Sequence, residues 1–344
     1  MLLDRIEARW IEAFKTVFER CGVAAGEDAV ILSESQSRPV NVQLAEIALD
    51  LLGAKICHVV LPTQRQTAPV SLRSTGACTV LRGNTVAVDA LKAASFVADL
   101  TLEGLMHARE LGEILQSGTR VQVVSNEHPD CLERLVPELG MKDQVKSAVK
   151  RCREATTMTV TSEAGSDLSV AMAGAVTAGV WGWTDRPGTL AHWPGGVVVS
   201  FPAEKSTNGV LVLAPGDVNL TFKTYVQSPV RLTIENDFVT DIAGEGRDFE
   251  QLTRYLEAWN DRNAYAVSHV GWGVNPAARY EALSMYDKSQ TNGTELRCFA
   301  GNFLFSTGAN EFAGRFTEGH FDLPMLNCTI ALDGDVVVEK GRVL

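Results

Sequence analysis

Histidine is scarce in this chain, with six in 344 residues. The seven cysteines (21, 57, 78, 131, 152, 298 and 328) are odd in number and scattered, with no C-x-x-C pair and no zinc-knuckle spacing. That excludes a disulfide framework and suits small buried thiols in a reducing cytoplasm. No run of about 18 apolar residues is present, so no transmembrane helix is expected. Residues 1–10 (MLLDRIEARW) already carry Asp4, Arg5, Glu7 and Arg9. No apolar secretory core follows the start, and a cytoplasmic location is expected. Positive charge is in deficit: 31 Lys and Arg against 42 Asp and Glu leave a net charge of −11. This argues against nucleic acid or an anionic membrane as partner. The glycine fingerprints of dinucleotide and ATP sites are missing, and so is the G-x-S-x-G elbow of serine hydrolases.

What is there is ordinary for a globular enzyme: 45% hydrophobic and 21% charged residues. The length suggests two domains. Apolar positions Ile6, Trp10, Phe14 and Phe18 predict an amphipathic helix over 1–20. Strand and helix signals then alternate: strands at 29–32, 56–61, 96–101 and 120–124, helices at 40–52, 89–95, 104–116, 132–139 and 144–155. That alternation predicts a parallel sheet covered by helices. Near residue 156 the pattern changes to short alternating runs (157–162, 167–173, 196–201, 209–213, 218–223, 230–236), interrupted by one long helix at 248–260. These predict antiparallel strands. The expected fold is therefore an N-terminal parallel-sheet α/β domain (1–155), followed by a mostly antiparallel, β-rich α+β domain (156–344). The second domain, which holds five of the six tryptophans, is expected to carry the chemistry.

The segment 319–322 (GHFD) opens an apolar, β-branched stretch. In an extended chain, residues i and i+2 share one face, so His320 and Asp322 would point into one pocket. An imidazole and a carboxylate so placed form half a metal site, although such pairs also serve as plain structural hydrogen bonds. His269, in the strand-like run 264–273, supplies a third ligand. Two histidines and one carboxylate leave open positions on an octahedral ion, which suits a non-haem Fe(II) that binds substrate and O2.

The other candidates are weaker. His192 lies in AHWPGG (191–196), whose proline and glycines predict a tight loop. A loop histidine can serve as a general base or simply pack on Trp193. His107 is read at the start of a helix beyond the strand 96–101, where open α/β sheets place ligands. His58 is read as a core histidine, and His128 receives no role. In GNFLFSTG (301–308), Phe305 could lie against a planar substrate and Ser306 donate to it, or the segment is a core strand. Arg297 could pair with an anionic substrate oxygen or form a structural ion pair. Glu204 competes for a metal role, and a second metal there would shift the expectation towards hydrolysis.

AHWPGG (191–196), SHVGWGVNP (268–276), GNFLFSTG (301–308) and HFDLP (320–324), in that order, resemble the 2,5-dihydroxypyridine 5,6-dioxygenase family. The likeness extends to Leu-Met-His (105–107) and EAGSD (163–167), and so spans most of the chain. It implies a mononuclear Fe(II) enzyme that opens the ring of a hydroxylated N-heterocycle with O2, giving N-formylmaleamate from the family substrate. His269, His320 and Asp322 match the family's iron ligands, His192 its catalytic base, and His107 a second histidine at the pocket. The likeness also implies a homo-oligomer. The segment 179–183 (GVWGW) has no acidic residue near Val180, which opens the pocket to related rings. The wider superfamily includes metallo-aminopeptidases of the aminopeptidase T type, the alternative reading. They place a glutamate where His269 stands and a further histidine near 300–303, whereas this chain has no histidine between 269 and 320.

Overall fold

Strands covered on both faces read as unbroken apolar runs, and such runs build the first layer of the computed structural model. The structure describes residues 5–65 and 78–344. A five-stranded parallel sheet has the order Lys55–Leu61, Asp28–Glu34, Phe96–Asp99, Arg120–Val124 and Leu190–Trp193. Ala29, Ile31, Phe96 and Ala98 pack under the helices Ala8–Arg20 and Pro39–Leu51. Their neighbours Val30, Leu32 and Val97 pack on the opposite face, under Thr85–Ala93 and Leu111–Gln116. The helix read over 1–20 spans Ala8–Arg20 and buries Trp10, Phe14 and Phe18 along one stripe. Residues 1–4 of that reading lie outside the described residues.

Two local expectations are corrected. The helix read over 104–116 is only Leu111–Gln116. Asp99 captures the preceding stretch: its carboxylate accepts from Thr101 N (3.0 Å), Thr101 Oγ1 (2.6 Å) and Leu105 N (2.7 Å). Side-chain acceptors of this kind compete with helical bonding and hold 101–110 as a loop. His58 is exposed, because Lys55–Leu61 is an edge strand with a largely uncovered face, and it lies 3.7 Å from Glu46.

The second half is a sandwich of antiparallel sheets. The eight-stranded sheet runs Phe238–Gly244, Val230–Glu235, Thr207–Leu213, Asp167–Ala171, Thr157–Thr161, Thr329–Leu332, Asp335–Glu339 and Arg342–Val343. The five-stranded sheet runs Phe321–Met325, Phe303–Thr307, Val267–Gly273, Val197–Phe201 and Val176–Val180. Inward residues of both, among them Val160, Leu168, Leu232, Val270, Trp272, Phe303 and Phe321, form the largest core. The helix Gly246–Ala258 closes its end with Leu252, Tyr255 and Leu256. Leu190–Trp193 comes from beyond residue 156 yet pairs with Arg120–Val124 in the parallel sheet, tying the two halves together. No helix among the described residues is long and apolar enough to cross a membrane.

Candidate active site

The five-stranded sheet has two unlike faces. Phe321, Leu323, Phe303 and Phe305 point into the sandwich core, so the alternate positions Asp322 and Leu304 point the other way, into a cavity of about 710 Å³. The i, i+2 geometry expected of His320 and Asp322 is present: both line this cavity, with His320 Nε2 3.2 Å from Asp322 Oδ1. Tyr255 anchors the strand start by donating to the His320 carbonyl at 2.6 Å.

His269 reaches the same place through a β-bulge. Val267 pairs with Thr307 and Val270 with Phe305, so Ser268 and His269 together oppose Ser306. The extra residue re-aims the side chain, as bulges beside binding sites do, and Ser268 Oγ pins it by donating to the Ala309 carbonyl. His269 Nε2 ends 3.8 Å from Asp322 Oδ1. His107 comes from the loop at the carboxyl end of Phe96–Asp99. Its ring lies 5.0 Å from that of His320. One ring nitrogen from each of His107, His269 and His320 falls within 4.8 Å of the others.

The charges are set by burial and by one arginine. Burial pushes His269 down to about 3, against the pull of Asp322, so its imidazole is neutral. Burial alone would raise the Asp322 carboxyl, but Arg297, His320 and His269 outweigh it and hold it well below the ordinary range. Arg297 Nε donates to Asp322 Oδ2 at 2.6 Å, and Ser306 Oγ donates to Oδ1.

His192 corrects the loop reading, since it is a buried residue of the strand Leu190–Trp193. Its Nδ1 lies 2.5 Å from the Pro194 carbonyl, an acceptor, so Nδ1 carries the proton and Nε2 is left as a base. Burial lowers His192 to about 4, with the Pro194 contact opposing the drop. It stays neutral at physiological pH.

Of the three expected substrate contacts, Phe305 and Ser306 take other roles. Phe305 lies in the sandwich core, and Leu304 occupies the cavity face instead. Ser306 gives its hydroxyl proton to Asp322, whereas Arg297 gives Nε to Asp322 and Nη1 to Asn292 Oδ1 (3.4 Å) and also lines the cavity. Glu204 is exposed on a turn and is absent from the cavity lining, so it offers no second metal site there. His128 caps the helix Pro129–Arg134 by accepting from Asp130 N. Sequence reasoning missed Glu311, whose Oε1 lies 3.2 Å from His107 Nδ1. It also missed Phe201, whose ring is 5.4 Å from that of His269. Neither has a local signal, because both contacts are long-range.

The residues present fit a divalent cation. Ions with bonds of about 2.1 Å set adjacent octahedral donors about 3 Å apart. The 3.2 and 3.8 Å separations of Asp322 Oδ1 from the two imidazoles are near that edge length. His269 Nδ1 and His320 Nδ1 are buried without a hydrogen-bond partner, so neither ring is tied to another protein group through that nitrogen, and both present Nε2 to the carboxylate. A carboxylate with two imidazoles is one possible ligand set, and the three histidines are another.

Fold and site together define an enzyme-like class: a histidine–carboxylate cluster of the kind that holds a catalytic metal, set between a parallel α/β layer and a β-sandwich. More narrowly, the chain belongs to the 2,5-dihydroxypyridine 5,6-dioxygenase family, whose model matches residues 9–344. It is 36% identical over 341 residues to the 2,5-dihydroxypyridine 5,6-dioxygenase of Pseudomonas putida KT2440, covering 98% of this chain and 96% of that one. A solved structure of 2,5-dihydroxypyridine dioxygenase from Pseudomonas putida KT2440 superposes with a TM-score of 0.93 at 35% identity, over 99% of this chain and 98% of the other. AmpT from Thermus thermophilus superposes with a TM-score of 0.64 at 13% identity, over 98% of this chain and 99% of that one, a likeness of fold alone.

Proposed function

We propose that this chain cleaves the ring of 2,5-dihydroxypyridine, or of a closely related hydroxylated N-heterocycle, with O2. His269, His320 and Asp322 would hold one Fe(II). The observation that carries the reading is the convergence of a neutral imidazole, a second imidazole and an ionised carboxylate on one point of a large cavity. It is supported by the family and by the close superposition on a dioxygenase. When bound, the iron supplies the open coordination positions at which substrate and O2 meet.

The chain's own residues supply the rest. His192, neutral and with Nε2 unprotonated, takes the proton of a ring hydroxyl and makes the ring electron-rich. Arg297 and Ser306 keep Asp322 ionised and fixed in direction. His107, beside His320, orients the bound substrate. Cleavage between ring carbons 5 and 6, with both oxygen atoms retained, converts C5H5NO2 and O2 into C5H5NO4. Carbon 5 becomes a carboxylate and carbon 6 a formyl group on nitrogen, which is N-formylmaleamate. All seven cysteines are free, in keeping with a reducing cytoplasmic setting.

The test is anaerobic loading with Fe(II), then admission of O2 to enzyme and 2,5-dihydroxypyridine. Loss of ring absorbance with one O2 consumed per ring, and both labels of 18O2 in the product, supports the reading. Absence of oxygen uptake with this ring and with its substituted analogues refutes it.

A further inference from the structure

The short turn beyond the catalytic sheet carries a carboxylate that the reaction scheme does not use. Glu311 and His107 both line the cavity, and their contact joins the two halves of the molecule: Glu311 Oε1 lies 3.2 Å from His107 Nδ1. We propose that Glu311 is the positioning residue of His107, fixing its ring direction and the tautomer with the proton on Nδ1, so that Nε2 is an acceptor at the metal-side face. This rests on the reading in which His107 works beside the metal cluster.

Rigid mounting is the physical argument. A carboxylate on a loose loop orients nothing, but this turn is fastened on both sides. Asn310 Nδ2 donates to the Pro202 carbonyl at 2.9 Å, and its Oδ1 accepts from Ala313 N at 3.1 Å. Asn310 and Arg315 exchange backbone bonds at 3.0 Å each. The buried Arg315 then reaches the Val267 carbonyl at 2.8 Å and Asp237 at 3.2 Å, fastening the turn to the strand that carries His269. Phe312, on the same turn, meets Phe201 at 5.0 Å, and Phe201 meets His269 at 5.4 Å. One turn therefore braces two of the three clustered histidines. His107 is held from its own side by the Asp99 loop, where Gly104 (φ +75°) passes so close to Val123 that a Cβ would sit 2.8 Å from it. With both partners fixed, the contact is an orienting one. A histidine that donates its second N–H to a carboxylate is locked in tautomer and ring direction, and loss of such a partner typically costs about 10–100-fold in activity.

The test has two arms on the full-length protein. In the metal-free, 15N-histidine-labelled protein, ring nitrogen shifts should show His107 protonated at Nδ1 in the wild type, displaced from that state in Glu311→Gln, and restored in Glu311→Asp. In the iron-loaded enzyme, Glu311→Gln should lower kcat about 10–100-fold with KM within about threefold. The same change placed on His107→Ala should cost less than about twofold, because Glu311 acts through that ring. An unprotonated Nδ1 in the wild type, a tautomer indifferent to Glu311→Gln, or an equal cost in both backgrounds overturns the proposal. If the wild type cleaves no ring at all, the dioxygenase reading fails by itself, and the nitrogen shifts still decide the role of Glu311.

Discussion

Arg297→Met probes the electrostatics of this site, because methionine keeps much of the stem and removes the positive charge together with the Nε hydrogen bond to Asp322. The Arg297–Asp322 contact is 2.6 Å long, with side chains 8% and 2% exposed. Removing one partner of a pair this deeply buried costs about 3–5 kcal/mol, since the carboxylate keeps its charge and loses its cation. At roughly 2 °C per kcal/mol for a chain of this size, the metal-free variant should melt about 6–10 °C below the wild type. A divalent ion at Asp322 supplies the missing positive charge, so the metal-loaded variant should lose less than half of that. The thermodynamic cycle then demands tighter metal binding by the difference, and about 2 kcal/mol corresponds to about 30-fold. Thermal melts with and without metal, and an anaerobic Fe(II) titration against a competing chelator, measure both quantities. A metal-free variant that melts within 2 °C of the wild type, or that binds Fe(II) more weakly, refutes the reasoning.

Three further outcomes follow from the same structure. His192→Gln should keep its iron and lose about 10²–10⁴-fold in kcat, the usual worth of a positioned base; unchanged turnover would remove His192 from the mechanism. The same variant tests the pH linkage. A histidine lowered from 6.5 to about 4 by burial leaves the unfolded chain binding more protons between those values, so its share of stability is complete above pH 6.5 and is lost as the pH falls towards 4. The wild type should therefore lose about 3 kcal/mol more than His192→Gln between pH 7 and pH 4 in denaturant titrations, and parallel curves would contradict the burial argument. Gly104→Ala combines a positive φ with a close approach to Val123, and should cost about 1–3 kcal/mol while slowing turnover through His107; a silent substitution would mean that the Asp99 loop does not position that ring.

Much of this was legible in the sequence, where a short-range pattern determines the answer. The i, i+2 rule placed His320 and Asp322 on one face, because strand geometry leaves no other choice. Apolar runs marked the central parallel strands for the same reason. Misreadings arose where tertiary partners decide. His192 looked like a loop residue because Pro194 and two glycines follow it, yet pairing with Arg120–Val124, far off in sequence, makes it a strand. The run 104–116 has helical composition, but Asp99, which accepts twice from Thr101 and once from Leu105 N, holds its first part in a loop. Phe305 has the chemistry of a substrate platform, but its place in the strand alternation sends it to the core and gives the cavity to Leu304. Glu311 carries no local mark, since its meaning depends on His107, which arrives from the other half of the molecule.

In the proposed function, one metal ion held by His269, His320 and Asp322 is required for ring cleavage. Metal analysis after anaerobic Fe(II) loading, paired with oxygen uptake on 2,5-dihydroxypyridine, tests it most directly when wild type and Asp322→Asn are measured side by side. The expected result is one iron per wild-type chain with ring-dependent O2 consumption, and neither in the folded variant. Two metals per chain, or an Asp322→Asn protein that retains iron and turnover, would contradict it.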